Sequence, residues 1–271
     1  MAPPRNRKPS KAAAARVAAK AEKAAQREHD ELAARVVELL AALLDRNQSV
    51  AARMDALQGL AALDFLGPRF DSFRADYKQA LRTVATDPSA TLRERALDLL
   101  ALQKDPWAQD LLVKGLRQPD EAVVSDARAI QFLGYDDHHA EVVPLARELV
   151  KRSTGPAREE ALRVLASDPE SEPLFRRLMK DKSEKSSVRQ LSASGLQSLN
   201  PELFEKEARK VVTDDSDYNE IRATSLSALA HGRPPGAPPP DAKFVEQVGS
   251  ITTRSPAVRA SIDAYLRSTE E

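Results

Sequence analysis

A nonapeptide recurs along this 271-residue chain, and it restricts the fold more than any other feature of the sequence. Its form is apolar-Arg-x-x-Ala/Ser-apolar-x-x-Leu. Leu92-Arg93 is followed by Ala96, Leu97 and Leu100, Ala157-Arg158 by Ala161, Leu162 and Leu165, and Ile221-Arg222 by Ser225, Leu226 and Leu229. Ala52-Arg53 with Ala56, Leu57 and Leu60, Val188-Arg189 with Ser192 and Leu196, and Val258-Arg259 with Ile262 and Leu266 keep the same frame. One copy departs, with Asp126 in the Arg position ahead of Ala129, Ile130 and Leu133. Apolar residues at i, i+4, i+5 and i+8 form one stripe on a helix, whereas a strand would need strict alternation. Successive markers are 40, 33, 32, 31, 33 and 37 residues apart, a period near 34 that suits a repeated helical unit.

Each copy follows a second amphipathic stretch, the first containing Val36, Leu39 and Leu43 and the last Phe244, Val248 and Ile251. Asp-Pro or Asn-Pro at 87–88, 105–106, 168–169 and 200–201, with Gln118-Pro119, Gly155-Pro156 and Ser255-Pro256, punctuates the stretches. Proline lacks an N–H and has a fixed φ, so it stops one helix and suits the first turn of the next. The pattern predicts seven helix pairs. The expected organisation is a basic, Ala-rich tail over 1–29 that is disordered or helical, six pairs over 30–231, a Pro-rich linker over 232–240, and a terminal pair with an acidic end over 241–271.

The helix pair carrying apolar-Arg-x-x-Ala-Leu-x-x-Leu on its second member resembles the HEAT repeat, and Asp87-Pro-Ser-Ala-Thr-Leu92-Arg93 is the best single match. The resemblance covers about Asp30 to Arg267. It implies an all-α fold, a right-handed α-solenoid with first helices on the convex side and second helices on the concave side. It also implies a hydrogen-bonded ladder of Asp and Arg between successive repeats, in which Arg53, Arg93, Arg158, Arg189, Arg222 and Arg259 are structural markers. A clear Asp six residues before the Arg occurs at Asp87, and Asp215 or Asp217 is available to Arg222.

Overall charge balances at 41 basic against 41 acidic residues, but the balance hides an asymmetry. Residues 1–29 hold Arg5, Arg7, Lys8, Lys11, Arg16, Lys20, Lys23 and Arg27 against Glu22 and Glu28, a net of +6, so the remainder is −6. Pro3, Pro4 and Pro9 disfavour helix at the start. From Lys11 to Glu28 helix propensity is high, yet Val17 is the only sizeable apolar residue. Two readings of this tail stay open, a solvated segment and an electrostatic contact for nucleic acid or an anionic surface. A second asymmetry places +4 over residues 176–189, including Arg176, Arg177 and Lys180, and −4 over 201–220. These two stretches either pair with each other or offer a surface to an acidic partner.

Little catalytic chemistry is legible. Cysteine is absent, which removes disulfides, thiolate nucleophiles and cysteine-bound zinc. No Gly-rich phosphate loop or His-Glu-x-x-His is present. Asp136-Asp137-His138-His139-Ala140-Glu141 is the one run with metal-ligand chemistry, but adjacent histidines diverge on a helix, and a turn in which Asp137 caps the next helix accounts for it. A helical-repeat hydroxylase with two irons would show repeated His-Glu dipeptides, and none occurs. Lyase-like and glycosylase-like readings have no support beyond the fold. The sequence therefore leads to the expectation of a non-enzymatic, cytoplasmic scaffold or adaptor that binds protein through the solenoid surface, without cofactor, metal or catalytic residue. Nucleic-acid association through the basic tail is the alternative.

Overall fold

The computed structural model describes residues 11–136, 140–232 and 241–269. Among the described residues the chain is all-α, with fourteen α-helices, three 3-10 segments and no strand. The helices follow in order, α1 Lys11–Leu44 packing on α2 Val50–Asp64 and α3 Arg74–Val84 on α4 Ala90–Leu102, then α5 Pro106–Arg117 and α6 Asp126–Leu133, then α7 Val142–Arg152 packing on α8 Pro156–Leu165. Then come α9 Glu172–Lys180 with α10 Ser186–Leu199, α11 Pro201–Thr213 with α12 Asn219–His231, and α13 Ala242–Ser250 with α14 Pro256–Ser268.

Two compact units divide the chain, residues 1–111 and 112–271. In the first, α1 packs on α3 and α2 on α4. In the second, α9, α11 and α13 stack in order, and so do α6, α8, α10, α12 and α14. First helices pack on first helices and second on second, which makes the fold a helical solenoid. The longest marker spacing, between Arg53 and Arg93, contains an additional seven-residue 3-10 segment, Gly67–Phe73.

The nonapeptide supplies the core. Ala96, Leu97 and Leu100 are fully buried, and so in effect are Ala161, Leu162 and Leu165. Each such Leu contributes about 1.5–3 kcal/mol by leaving water. Helix starts follow the punctuation. Pro106, Pro156, Pro201 and Pro256 open α5, α8, α11 and α14, while Ser49, Ser89, Ser125 and Ser255 accept the N–H three residues on. Such caps satisfy donors that the helix itself leaves free.

Three of the six marker arginines share a task. Arg53 Nε donates to Leu43 O (2.8 Å), Arg189 Nε to Met179 O (2.9 Å) and Arg222 Nε to Val212 O (3.2 Å). Each acceptor lies ten residues back, on the penultimate residue of the first helix in the pair, where carbonyls lack a partner and a cation suits the helix dipole. Three guanidinium groups reach a carboxylate in the turn of the following pair through their Nη atoms: Arg53 to Asp87 (2.6 Å), Arg158 to Glu184 (2.6 and 2.8 Å) and Arg189 to Asp217 (2.7 Å, with a second bond). The ladder thus joins successive pairs. Asp215 serves Arg222 within its own pair (2.6 Å), and Arg93 and Arg259 bond to carbonyls of their own turns.

The departing copy is compensated. Ten residues before Asp126 lies Leu116 O, and Arg152 at the end of α7 donates to it at 2.6 Å while lying 3.7 Å from the Asp126 carboxylate. Cation and anion have exchanged places, and the carbonyl keeps its donor.

Helix α1 runs unbroken through residue 29, because nothing between 11 and 44 is Gly or Pro and Ala, Glu, Lys, Arg and Leu dominate. The Pro-rich linker beyond Gly232, the pair His138 and His139 with Asp137, and the last two acidic residues lie outside the described residues, as do Arg5, Arg7 and Lys8.

Candidate functional site

The N-terminal half of α1 carries an exposed cationic stripe. Arg16, Lys20, Lys23 and Arg27 are all exposed, and their spacing of i, i+4, i+7 and i+11 places them on one stripe. None of the four makes an ion pair among the described residues. Lys11 opens the helix, but its side chain is not among those described. At 1.5 Å per residue the stripe is about 16 Å long. Glu28 lies off the stripe and pairs with Arg69 at 2.5 Å, and His29 stacks on Phe73 with ring centroids 5.6 Å apart. These two contacts tie the cationic segment to the 3-10 turn of the second pair.

The basic stretch on α9 is largely engaged internally. Arg176 donates through Nε and Nη2 to Glu207 Oε1 (3.0 and 2.9 Å), and Lys210 approaches the other oxygen at 3.0 Å. Glu207 is a fully buried side chain. Burial raises its carboxyl, but the hydrogen bonds from Lys210 and Arg176 outweigh burial and leave it below the ordinary range. Lys182 bonds Asp214 at 2.5 Å and Ser216 at 2.7 Å. Those Lys182 and Ser216 bonds hold the Asp214 carboxyl down at about 2. The +4 and −4 stretches therefore pair at Arg176–Glu207, Lys182–Asp214 and Arg189–Asp217. Arg177 and Lys180 are exposed and form no ion pair among the described residues.

Arg158 and Arg177 meet at one pocket, together with Arg147 and Lys151 of α7. Neither α7 residue carries a motif, so this grouping has no signal in the sequence beyond its charge. Of the histidines, His231 Nδ1 lies 2.8 Å from Ser227 O. Among the described residues no three His, Asp or Glu side chains are grouped to hold a metal ion. No helix of the described residues is long and apolar enough to cross a membrane.

No protein-family model matches the chain, and no curated protein matches it in sequence. Among solved structures, one of human deoxyhypusine hydroxylase in complex with glycerol aligns over 92% of this chain and 98% of its own, with 15% identity and a TM-score of 0.37. That protein is an enzyme, and the expectation of a non-enzymatic scaffold or adaptor is corrected accordingly. Neither an all-α stack nor scarce histidine and absent cysteine by itself excludes catalysis. The physical reason is that a few grafted side chains supply chemistry while the fold supplies their support. A likeness at this identity and TM-score assigns no activity to this chain.

Proposed function

We propose that this chain binds nucleic acid through the cationic stripe of α1, by contacts to phosphates and not to bases. The observation that carries the reading is the exposed alignment of Arg16, Lys20, Lys23 and Arg27 without an internal partner among the described residues. A stripe of about 16 Å spans a length of duplex DNA that carries about ten phosphates on its two strands, one per about 1.7 Å of axis. An amphipathic membrane helix would need bulky apolar residues opposite its cations, and that part of the sequence is Ala with the single Val17. Arg5, Arg7, Lys8 and Lys11 extend the basic run, and Arg177 and Lys180 are secondary electrostatic contacts.

We further infer that the helix pairs are HEAT-type repeats. The support is the ladder of Arg53–Asp87, Arg158–Glu184 and Arg189–Asp217, which connects the first pair to the second, the fourth to the fifth and the fifth to the sixth.

Fluorescence anisotropy with a labelled 20-base-pair duplex tests the binding. The slope of log K against log salt should be at least about −3.6 in size, since each contacted phosphate contributes about −0.9. Replacing the four stripe residues with Gln should reduce that slope by about 3.6. An unchanged slope, or binding to anionic vesicles with none to the duplex at low salt, would refute the proposal.

A further inference from the structure

A pocket of about 490 Å³ opens between α7, α8 and α9, within the volume range of small-molecule sites, about 300–1,000 Å³. It shares no residue with the α1 stripe. Four cations line it, Arg147, Lys151, Arg158 and Arg177, with Glu170 as the carboxylate of the lining. Two of these cations are already matched. Arg147 Nη2 donates to Asp168 (2.5 Å) and Glu170 (2.9 Å), and both Arg158 Nη groups donate to Glu184.

Three donors remain. Lys151 and Arg177 are exposed and make no ion pair among the described residues, and the Arg158 Nε–H is buried without an acceptor. Buried N–H groups are nearly always paired, so the Arg158 Nε–H, without an acceptor in a side chain that lines the pocket, points to an acceptor from outside the chain. The three donors come from α7, α9 and α8, three separate elements. A carboxylate presents two oxygens in one plane, whereas a phosphate presents three around a tetrahedron and carries up to two charges. The remaining wall includes the buried Val150 and the half-buried Leu174, which suit an organic body.

We propose that this pocket binds the phosphate of a small phosphomonoester, with Lys151, Arg177 and Arg158 Nε as donors and the organic part against Val150 and Leu174. Phenyl phosphate, titrated into the full chain by calorimetry beside phenol and benzoate, is the probe. Saturable one-site binding is expected for phenyl phosphate, about tenfold weaker binding for benzoate and none for phenol. The Lys151→Gln/Arg177→Gln variant should weaken phenyl phosphate by about tenfold or more with unchanged circular dichroism. Lys206→Gln/Lys243→Gln removes the same charge at exposed sites outside the lining and should leave binding as it was. No saturation by about 20 mM, equal binding of benzoate, or equal loss in the control variant would overturn the proposal.

Discussion

Replacing Arg189 with Met tests whether the ladder sustains the stack. The Arg189 side chain is fully buried, and its Asp217 partner is 2% exposed. Arg189 makes two bonds to Asp217 and a third from Nε to Met179 O. Its guanidinium also lies 6.0 Å from the centre of the Tyr218 ring. Met fills most of the same volume, so little of the loss is packing. What remains is a buried carboxylate whose cation is gone and a helix-end carbonyl whose donor is gone. Breaking a buried pair from one side costs about 3–5 kcal/mol, whereas replacing both members with apolar groups is often close to neutral. Arg189→Met should therefore lose about 3–5 kcal/mol in urea unfolding, and Arg189→Met/Asp217→Leu should recover at least about 2 of these. The exposed Arg35–Glu38 pair is the reference, with side chains 56% and 69% accessible, and Arg35→Met should cost under about 1 kcal/mol. A single variant less than about 1 kcal/mol below the parent, or a double variant no better than the single, would show that the ladder is incidental to stability.

Other expectations follow from the same geometry. Arg152→Ala should destabilise by about 1–2 kcal/mol through loss of the Leu116 O bond, and adding Asp126→Arg should restore part of it by returning a donor to the marker position; additive losses would contradict the exchange. A Cβ on Gly195 would come 2.7–2.9 Å from the ring of buried Phe175, so Gly195→Ala should lower stability by about 1–3 kcal/mol despite its gain in helix propensity, and a raised melting temperature would refute the packing. Leu97→Ala and Leu162→Ala should each cost about 2–5 kcal/mol through cavity formation; a neutral melt for either would displace the core frame. In Asp87, Asp105 and Asp168, burial raises the carboxyl, but hydrogen bonds from Arg53, from Arg82 and from Ser171 with Arg147 outweigh it and leave each below the ordinary range. Because a depressed carboxyl contributes stability above its unfolded value, near 4, that is lost as pH falls through the folded value, stability should hold from pH 7 to about 5 and fall below that. Loss concentrated between pH 8 and 6 in urea melts would contradict this assignment.

Helix α1 shows where local information suffices and where it stops. Its length follows from residue types alone, since no Gly or Pro interrupts residues 11–44. What holds its cationic half in place, the Glu28–Arg69 pair and the His29–Phe73 stack, joins residues about 40 apart, and nothing local signals such a contact. Similarly, the +4 and −4 stretches were visible as charge, but not that Arg176 is bound to a buried Glu207 while Arg177 beside it stays exposed. Adjacent helix positions diverge by about 100°, so one faces α11 and the other solvent.

By itself the sequence determined the all-α class, the period, the stripe that becomes the core and the positions of the arginines, because each depends on backbone propensity and on periodicity within a dozen residues. Tertiary structure alone decided the partners of those arginines. Arg189 sits 28 residues from Asp217, and Arg152 stands 36 from the carbonyl that an arginine at 126 would otherwise take. The same holds for the pocket, where Lys151, Arg158 and Arg177 become neighbours only when α7, α8 and α9 pack. Long-range electrostatic pairing depends on which faces meet, and faces meet only after the hydrophobic stripes have fixed the stack.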